Sequence, residues 1–305
     1  MEIEEPLFEN LFKEFIEIYF SEINKERDKK ILYRRYGIKY SRKFTLEEIG
    51  KLNNITRQRV EQIEKKHIKK LLLLLNGESV KRLNFEPNNK LKNLFSEIKI
   101  TMNDNKIIGN KEFFQLLNKY FKNCSLKNGY IILLLDLLKL KYISYNDFIS
   151  NIFYQEKYIN KKTLKNNIER IYKALRKEVI PISYDDLIIK VIGRRKNYNV
   201  ENIKLTINAL DEIEKININD IEMLQLNTLN KFSAGDLGYR VLFHNESPMS
   251  NDQLLRKVNN LLNEQGYNRV NRRNLLNQLT DNDKIKNIGQ GKWALNDWDY
   301  EKNIL

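Results

Sequence analysis

A helix, a tight turn and a second helix are predicted by residues 45–71, TLEEIGKLNNITRQRVEQIEKKHIKKL. Thr45 and Glu48 have the spacing of a capping box, in which the hydroxyl accepts from the backbone amide of Glu48 and the carboxylate bonds the amide of Thr45. The pair Asn53-Asn54 suits the turn because Asn tolerates a left-handed backbone, and Thr56 can cap the second helix. These signals predict where both helices begin and where the first one ends.

The second helix has one apolar and one polar face. Residues at helical spacing form its buried stripe, namely Val60, Ile63, His67 or Ile68, and Leu71. The polar face has Arg57, Gln58, Glu61, Gln62 and Lys65. Helix-turn-helix proteins expose such side chains near the start of the second helix and place them against base edges in the major groove.

Another helix is predicted just before this stretch, from Arg27 to Ile38, with Gly37 as its C-terminal stop. Residues 27–75 together resemble region four of the primary sigma factors. The resemblance rests on Arg35-Tyr36-Gly37-Ile38, Thr45 to Gly50, Ile55 to Glu64, Lys66, and Lys69 to Leu71. In that family this helix-turn-helix reads the upstream hexamer of the promoter, so the resemblance implies a contact with double-stranded DNA.

The resemblance also implies roles for single residues. Base contacts are expected from Arg57 and Gln62, and from Gln58 and Glu61 beside them. Phosphate contacts are expected from Arg35, Thr45, Arg59, Lys65, Lys66, Lys69 and Lys70, and the alternative for the cations among them is an ordinary solvated helix face. Gln58 replaces the usual Glu of the family and Glu61 the usual Arg, so a target different from the ordinary sigma site is expected. Asn53 replaces a usual apolar residue in the turn.

The charge of the chain is concentrated beside this motif. The formal net charge is +14, from 54 Lys and Arg against 40 Asp and Glu. Residues 1–26 have two basic and eight acidic side chains, whereas residues 27–82 have seventeen basic and six acidic ones. A basic module favours a polyanionic partner. An AT-rich coding bias towards Lys and Asn would also raise the total charge, so the uneven distribution is the more informative observation.

Several classes of protein receive no support from the sequence. No apolar run approaches the roughly 18 to 20 residues that cross a bilayer, and the acidic start differs from a secretory signal, so a cytoplasmic protein without membrane association is expected. One cysteine, Cys124, and two histidines, His67 and His244, exclude an internal disulfide and a Cys/His metal site. We find no catalytic motif and expect no enzyme and no cofactor, with an irregular nuclease as the alternative.

The fold class predicted is mainly α, in four domains. The helix-turn-helix domain should span residues 1–83 and a helical middle domain residues 84–178. Within the latter, helices are predicted at Leu91 to Ile98, Lys111 to Phe121, Ile131 to Leu140, Tyr145 to Phe153 and Lys161 to Lys177. The run from Tyr130 to Leu138 is apolar all round and should be a central core helix.

The C-terminal part contains a repeat. Residues 181–191 and 248–258 share Pro, Ser, Asp, Leu, Lys and Val in register, which predicts two related winged-helix units at 179–231 and 244–305. The ending Ile288 to Leu295 resembles the wing of the winged-helix domain of the RNA polymerase delta subunit. A second DNA surface is expected from Arg269, Arg272, Arg273, Lys286 and Lys292.

Two functions are compatible with these features. The first is a bacterial-type transcription regulator that binds promoter-like double-stranded DNA through residues 45–71 and uses its C-terminal winged helices for DNA, RNA polymerase or another protein. The second is a DNA-recognition or adaptor subunit of a mobile-element or anti-phage defence assembly. The positions of bound sites in the genome would distinguish the two.

Overall fold

The computed structural model describes residues 7–83, 85–122, 124–144, 149–193, 199–229 and 232–299. Helices dominate, and the strands within these ranges form small three-stranded antiparallel sheets, which confirms the prediction of a mainly α fold. The chain divides into two compact units. The first contains the described residues of 1–144 and 151–161, and the second those of 145–150 and 162–305.

The first unit begins with four helices. These are α1 (Leu7–Ser21), α2 (Glu26–Tyr36), α3 (Leu46–Asn53) and α4 (Arg57–Leu75), of which α3 and α4 form the predicted helix-turn-helix. Helix α2 ends as predicted at Gly37, whose φ of 71° is left-handed. Helix α1 buries one apolar face that includes Phe12 and Ile16, while acidic side chains such as Glu14 remain on its surface.

The next segment of the first unit is a winged helix. Its elements are α5 (Asn89–Asp104), β1 (Ile107–Gly109), α6 (Asn110–Leu117), α7 (Gly129–Leu137), β2 (Leu140–Ile143) and β3 (Ile152–Gln155). The sheet order is β1-β3-β2, with antiparallel pairing throughout. The predicted helix from Tyr145 to Phe153 is wrong, because Ile152 and Phe153 lie in the central strand; residues 145–148 fall outside the described residues. The middle region therefore has a sheet as well as helices.

Two more winged helices follow in the second unit. One consists of α8 (Lys161–Glu178), β4 (Ile182–Ser183), α9 (Tyr184–Ile192), α10 (Val200–Asn208), β5 (Ile213–Ile218) and β6 (Ile221–Leu226). The other consists of α11 (Ala234–Asn245), β7 (Met249–Ser250), α12 (Asn251–Glu264), α13 (Arg272–Thr280), β8 (Ile285–Gly289) and β9 (Lys292–Leu295). Their sheet orders, β4-β6-β5 and β7-β9-β8, match that of the first winged helix.

The predicted repeat is confirmed by this topology. Ile182 pairs with Leu224 in one sheet, and Met249 pairs with Trp293 in the other, so each short first strand lies against the last strand of its unit. Ser183 and Ser250 both cap the helix that follows. The repeat visible in the sequence is thus two of three tandem winged helices.

One hydrophobic core extends through the first unit. It includes Phe12 of α1, Tyr36 of α2 and Leu71 of α4 together with Leu133 of α7 and Phe153 of β3. Residues on both sides of position 83 therefore share a core in this structure. The domain limits given above stay predictions. The expected central core helix is confirmed, because Ile131 to Leu135 of α7 are all buried.

Two further features are absent from the described ranges. Among their helices, none has the length and apolar character needed to span a membrane. They contain no group of three or more His, Cys, Asp or Glu side chains arranged to hold a metal ion.

Candidate nucleic-acid interface

The start of α3 is fixed by the predicted capping box. Thr45 Oγ1 accepts from the Glu48 amide at 3.2 Å, and the Thr45 amide donates to Glu48 Oε2 at 2.7 Å. Arg42 Nη2 donates to Glu48 Oε1 at 2.9 Å. This bond from Arg42, followed by the bonds from Thr45, lowers the pKa of Glu48 to about 2. The carboxylate is therefore ionised at neutral pH and able to act in the cap.

The turn between the helices depends on a close approach of backbones. A Cβ at Gly50 would lie 2.8 Å from the carbonyl oxygen of Ile55, so only glycine fits there without a shift. Asn54 adopts the left-handed conformation expected of the turn, with φ of 51°. Asn53 Nδ2 donates to the Ile49 carbonyl at 2.7 Å, which satisfies a carbonyl near the end of α3. The polar residue at position 53 thus has a structural role.

A small buried cluster holds the two helices together. Ile31, Ile49, Val60 and Ile63 are each at most 2% exposed, with Phe44, Leu46 and Ile55 packed around them. The predicted buried stripe of α4 is confirmed, and at its alternative position His67 is buried while Ile68 is only half-buried. Because α4 is anchored along this stripe, its opposite face is fixed in orientation at the surface.

That opposite face contains the residues predicted to contact bases. Arg57, Gln58 and Gln62 are exposed and Glu61 is half-buried. Lys65 Nζ pairs with Glu61 Oε1 at 2.6 Å, which lowers the pKa of Glu61. These four side chains lie on the first two turns of the helix, as the sequence predicts.

One bond links a predicted base contact to a predicted phosphate contact. Arg59 Nη1 donates to Gln62 Oε1 at 3.0 Å, and Arg59 is otherwise exposed. Thr56 Oγ1 accepts from the Arg59 amide at 3.1 Å and caps the helix as expected. The Gln62 amide is therefore held from one side, and its NH₂ group remains available to an acceptor.

Basic side chains follow the predicted base contacts along α4. Lys65, Lys66 and Lys69 are exposed, and Lys70 is half-buried. Burial lowers the pKa of Lys70, and the nearby charges of Lys66 and Arg82 lower it further. Within the described ranges, neither Arg57 nor Lys66, Lys69 or Lys70 has an ion-pair partner. Arg82 lies outside the helix-turn-helix motif, so the motif gave no signal for it.

Two predicted phosphate contacts have other partners in the structure. Arg35 Nε donates to Glu64 Oε1 at 2.7 Å, and this pair joins α2 to α4. Burial raises the pKa of Glu64, and the charge of Arg35 opposes this shift. The hydroxyl of Thr45 is engaged in the capping box, although the side chain is exposed. Both residues organise the motif, and their contact with phosphate stays a prediction.

The predicted second surface is only partly open. Arg269, Arg272, Arg273 and Lys292 are exposed, whereas Lys286 is half-buried. Lys286 Nζ donates to the backbone carbonyls of Asn296 and Trp298. Arg272 Nη2 lies 3.5 Å from Asp252 Oδ1. Lys286 thus secures the end of the third winged helix, and the exposed cations are mainly those at the start of α13.

Comparison with known proteins assigns the helix-turn-helix to a family. Residues 25–71 match the family described as Sigma-70, region 4. Over 68 residues the chain is 43% identical to RNA polymerase sigma factor SigA1 of Synechococcus elongatus and 40% identical to SigA of a Nostoc species, covering 22% of this chain and 17% of each relative. It is 49% identical over 45 residues to SigA of Clostridium acetobutylicum, covering 15% of this chain and 12% of the relative.

These matches confirm the resemblance drawn from the residues. The segment from 25 to 71 is a region-four helix-turn-helix of the sigma-70 type. The chain matches less than a fifth of the length of these curated relatives. No solved structure matches the chain.

Proposed function

We propose that this chain is a transcription regulator that binds double-stranded DNA at specific sites through α4. The observation that carries the proposal is the exposed face of α4, on which Arg57, Gln58 and Gln62 project from a helix anchored by its opposite face. The match of residues 25–71 to sigma-70 region 4, and the RNA polymerase sigma factors among the relatives, support it.

The chemistry of the exposed face suits base recognition. Arg57 and Gln62 are both exposed on the first two turns of α4, and the start of a recognition helix is the part that enters the major groove. Arg donates to the two acceptors of guanine, O6 and N7. Gln accepts from the N6 amino group of adenine and donates to its N7. Glu61, which is ionised beside Lys65, accepts from the amino group of cytosine. Because Gln58 and Glu61 depart from the usual sigma residues, the proposed target differs from the ordinary promoter hexamer.

The flanking cations would supply affinity for DNA of any sequence. Lys66 and Lys69 have no carboxylate partner within the part of the chain that the structure describes, and the guanidinium of Arg59 donates to the neutral Gln62. Contacts between such cations and phosphates release counterions, so binding weakens as salt rises. We expect steep salt dependence for the full chain on duplex DNA.

A competition assay over randomised duplexes tests the proposal with wild type, Arg57→Ala, Gln62→Ala and Lys69→Ala. Arg57→Ala and Gln62→Ala should each cost about 1 to 3 kcal/mol on the preferred site and relax the choice at one base position, with little change on other sequences. Lys69→Ala is the matched control on the same helix. It should weaken all sequences alike and reduce the log–log salt slope by about one unit.

Two results would contradict the proposal. If Arg57→Ala and Lys69→Ala gave indistinguishable profiles, α4 would be only a basic surface. Genome-wide mapping of bound sites tests the regulatory part: promoter-centred sites are expected, and a single clustered locus would instead favour an adaptor of a mobile-element or defence assembly.

We further propose that the C-terminal winged helices contact DNA, RNA polymerase or another protein.

A further inference from the structure

Helix α8 of the second winged helix is the most basic helix outside the helix-turn-helix. Its 18 residues include seven basic side chains and two acidic ones, Glu169 and Glu178. Glu178 pairs with Lys190 of α9 at 2.6 Å, so it does not neutralise the helix itself. Nothing in the sigma-like motif accounts for this concentration of charge.

The basic side chains are gathered on one face. At about 100° per residue, five of them fall within roughly 120° of the helix circumference: they are Lys162, Lys165, Lys173, Arg176 and Lys177, and each is exposed. We call these five residues the α8 face. It runs from position 162 to 177, which is about 22 Å at 1.5 Å per residue. Glu169 is the one acidic residue within it.

The opposite side of α8 is fixed in the protein. Leu164, Ile168, Ile171 and Leu175 are each at most 3% exposed. The helix therefore cannot turn its charges away from solvent. For the described residues, no carboxylate lies within ion-pair distance of the five cations, and the single charge of Glu169 offsets only part of the positive charge of the α8 face.

Helix α10 and the hairpin of this winged helix have a negative net charge. Helix α10 and the hairpin of β5 and β6 occupy the topological positions of α13 and its hairpin in the third winged helix. They contain two basic residues, Lys204 and Lys215, against four acidic ones: Glu201, Glu214, Asp220 and Glu222. These two elements therefore attract a polyanion less than the α8 face does.

We propose that the α8 face is a further DNA-binding surface, distinct from the one predicted in the third winged helix, and that it contacts the phosphate backbone of a duplex without reading bases. A B-DNA duplex has one charge per roughly 1.7 Å of axis, so a 22 Å stripe passes about a dozen phosphates. That number is ample for five cations. Long, flexible Lys side chains suit point contacts with phosphate rather than base recognition. The inference rests on the proposed function, in which α4 selects the site.

The test compares two triple variants of the full chain. One removes charge from the α8 face (Lys165→Gln, Lys173→Gln, Arg176→Gln). The matched control removes the same charge from exposed positions elsewhere in the second unit (Lys204→Gln, Lys215→Gln, Arg256→Gln). All six positions are exposed; five lie in helices, where Gln is well tolerated, and Lys215 lies on strand β5. Circular dichroism checks that both variants keep the wild-type fold. Binding to a duplex of unrelated sequence is measured from low to physiological salt.

The α8 variant should lose two to three units of the log–log salt slope, because each phosphate contact contributes about 0.9. The control should keep the wild-type slope, and both variants should keep the base preference of α4. Equal slopes for the two variants would overturn the α8 proposal while leaving site selection by α4 intact. If Arg57→Ala loses base preference and the α8 variant loses only salt slope, both proposals are supported independently.

Two further outcomes are decisive. If wild type bound no duplex at all, the proposed function would fail together with the α8 face. If the α8 variant bound duplex normally but lost binding to poly-L-glutamate, the surface would receive an acidic protein, and the DNA proposal would be overturned.

Discussion

Helices α7 and α13 occupy the same place in two winged helices, and each has nine residues. Seven of the nine residues of α7 are buried, from Gly129 to Leu137, and the helix packs against α2 and α4. In α13 only Leu275 and Leu279 are buried, and the helix begins with the exposed Arg272 and Arg273. The same topology therefore provides a support for the helix-turn-helix in one case and an open basic surface in the other.

Two residues of α7, Gly129 at its start and Asp136 near its end, bring this helix against the helix-turn-helix. A Cβ at Gly129 would lie 2.6 Å from the carbonyl oxygen of Tyr36 and 2.9 Å from Ile38, so glycine permits α7 to approach the end of α2. Asp136 of α7 then accepts from the Tyr36 hydroxyl at 3.1 Å, and the same hydroxyl lies 3.2 Å from Glu64 of α4. Helix α7 is therefore tied to α2 by packing and a hydrogen bond, and it packs against α4.

The largest expected effect is on stability. Leu133→Ala in α7 should reduce the free energy of unfolding by about 2 to 5 kcal/mol, because this leucine is fully buried and its removal leaves a cavity. Asn277→Ala on the exposed face of α13 is the control and should change it by less than about 0.5 kcal/mol. Denaturation of the full chain is followed by circular dichroism and by tryptophan fluorescence.

The two signals distinguish the units. Both tryptophans, Trp293 and Trp298, belong to the third winged helix, so fluorescence reports the second unit alone. Leu133→Ala should shift a transition seen by circular dichroism and leave the fluorescence transition in place. A shift of equal size in both signals would show that α7 does not act as a support specific to the first unit.

The pH dependence of the first unit should be the next largest effect. Burial, with the nearby charge of Lys66, lowers the pKa of His67 to about 4, against the opposing charge of Asp28. Below pH 6.5 the unfolded chain protonates His67 while the folded chain does not. Stability is therefore lost as pH falls from about 6.5 to 4, by about 3 kcal/mol in full.

His67→Gln should remove this part of the pH dependence. The unfolding free energy of the first unit, measured by circular dichroism at steps between pH 7 and 4, should fall less steeply in the variant than in wild type. The fluorescence transition provides the internal control, because it reports the second unit, whose histidine His244 is unchanged, and its pH dependence should be the same in variant and wild type. Parallel pH profiles for wild type and variant would contradict the lowered pKa.

The smallest expected effect concerns the open surface of α13. Arg273→Gln should reduce the log–log salt slope of duplex binding by about one unit, because one phosphate contact is lost. Arg272→Gln should have less effect, since Asp252 partly neutralises that charge. If neither variant changes the slope, α13 does not contact phosphate, and its difference from α7 is only one of exposure.

The helix-turn-helix could be predicted from the sequence because its signals are local. The capping box needs only Thr45 and Glu48, and the turn needs only Asn54 and a close approach at Gly50. The faces of α4 follow from helical spacing alone. The candidate base contacts depend on this spacing, so they could be placed on the exposed face before any tertiary contact was known.

The first winged helix was missed for the opposite reason. Its central strand β3 pairs with β1, more than 40 residues earlier, and Ile107 lies opposite Tyr154. Strands of three or four residues have too few positions for alternation to distinguish them from helix, and all four residues of β3 are buried. The pairing that defines the sheet is thus not local to either strand.

The sequence by itself determined the sigma-type motif, the mainly α class and the C-terminal repeat, since caps, helical spacing and repeated residues act over short distances. The tertiary structure decided which surfaces remain open. It buried α7 against α2 and α4, engaged Arg35 with Glu64, and left the α8 face without a carboxylate partner among the described residues. Exposure and charge pairing depend on segments that are far apart in the chain, so no local pattern encodes them.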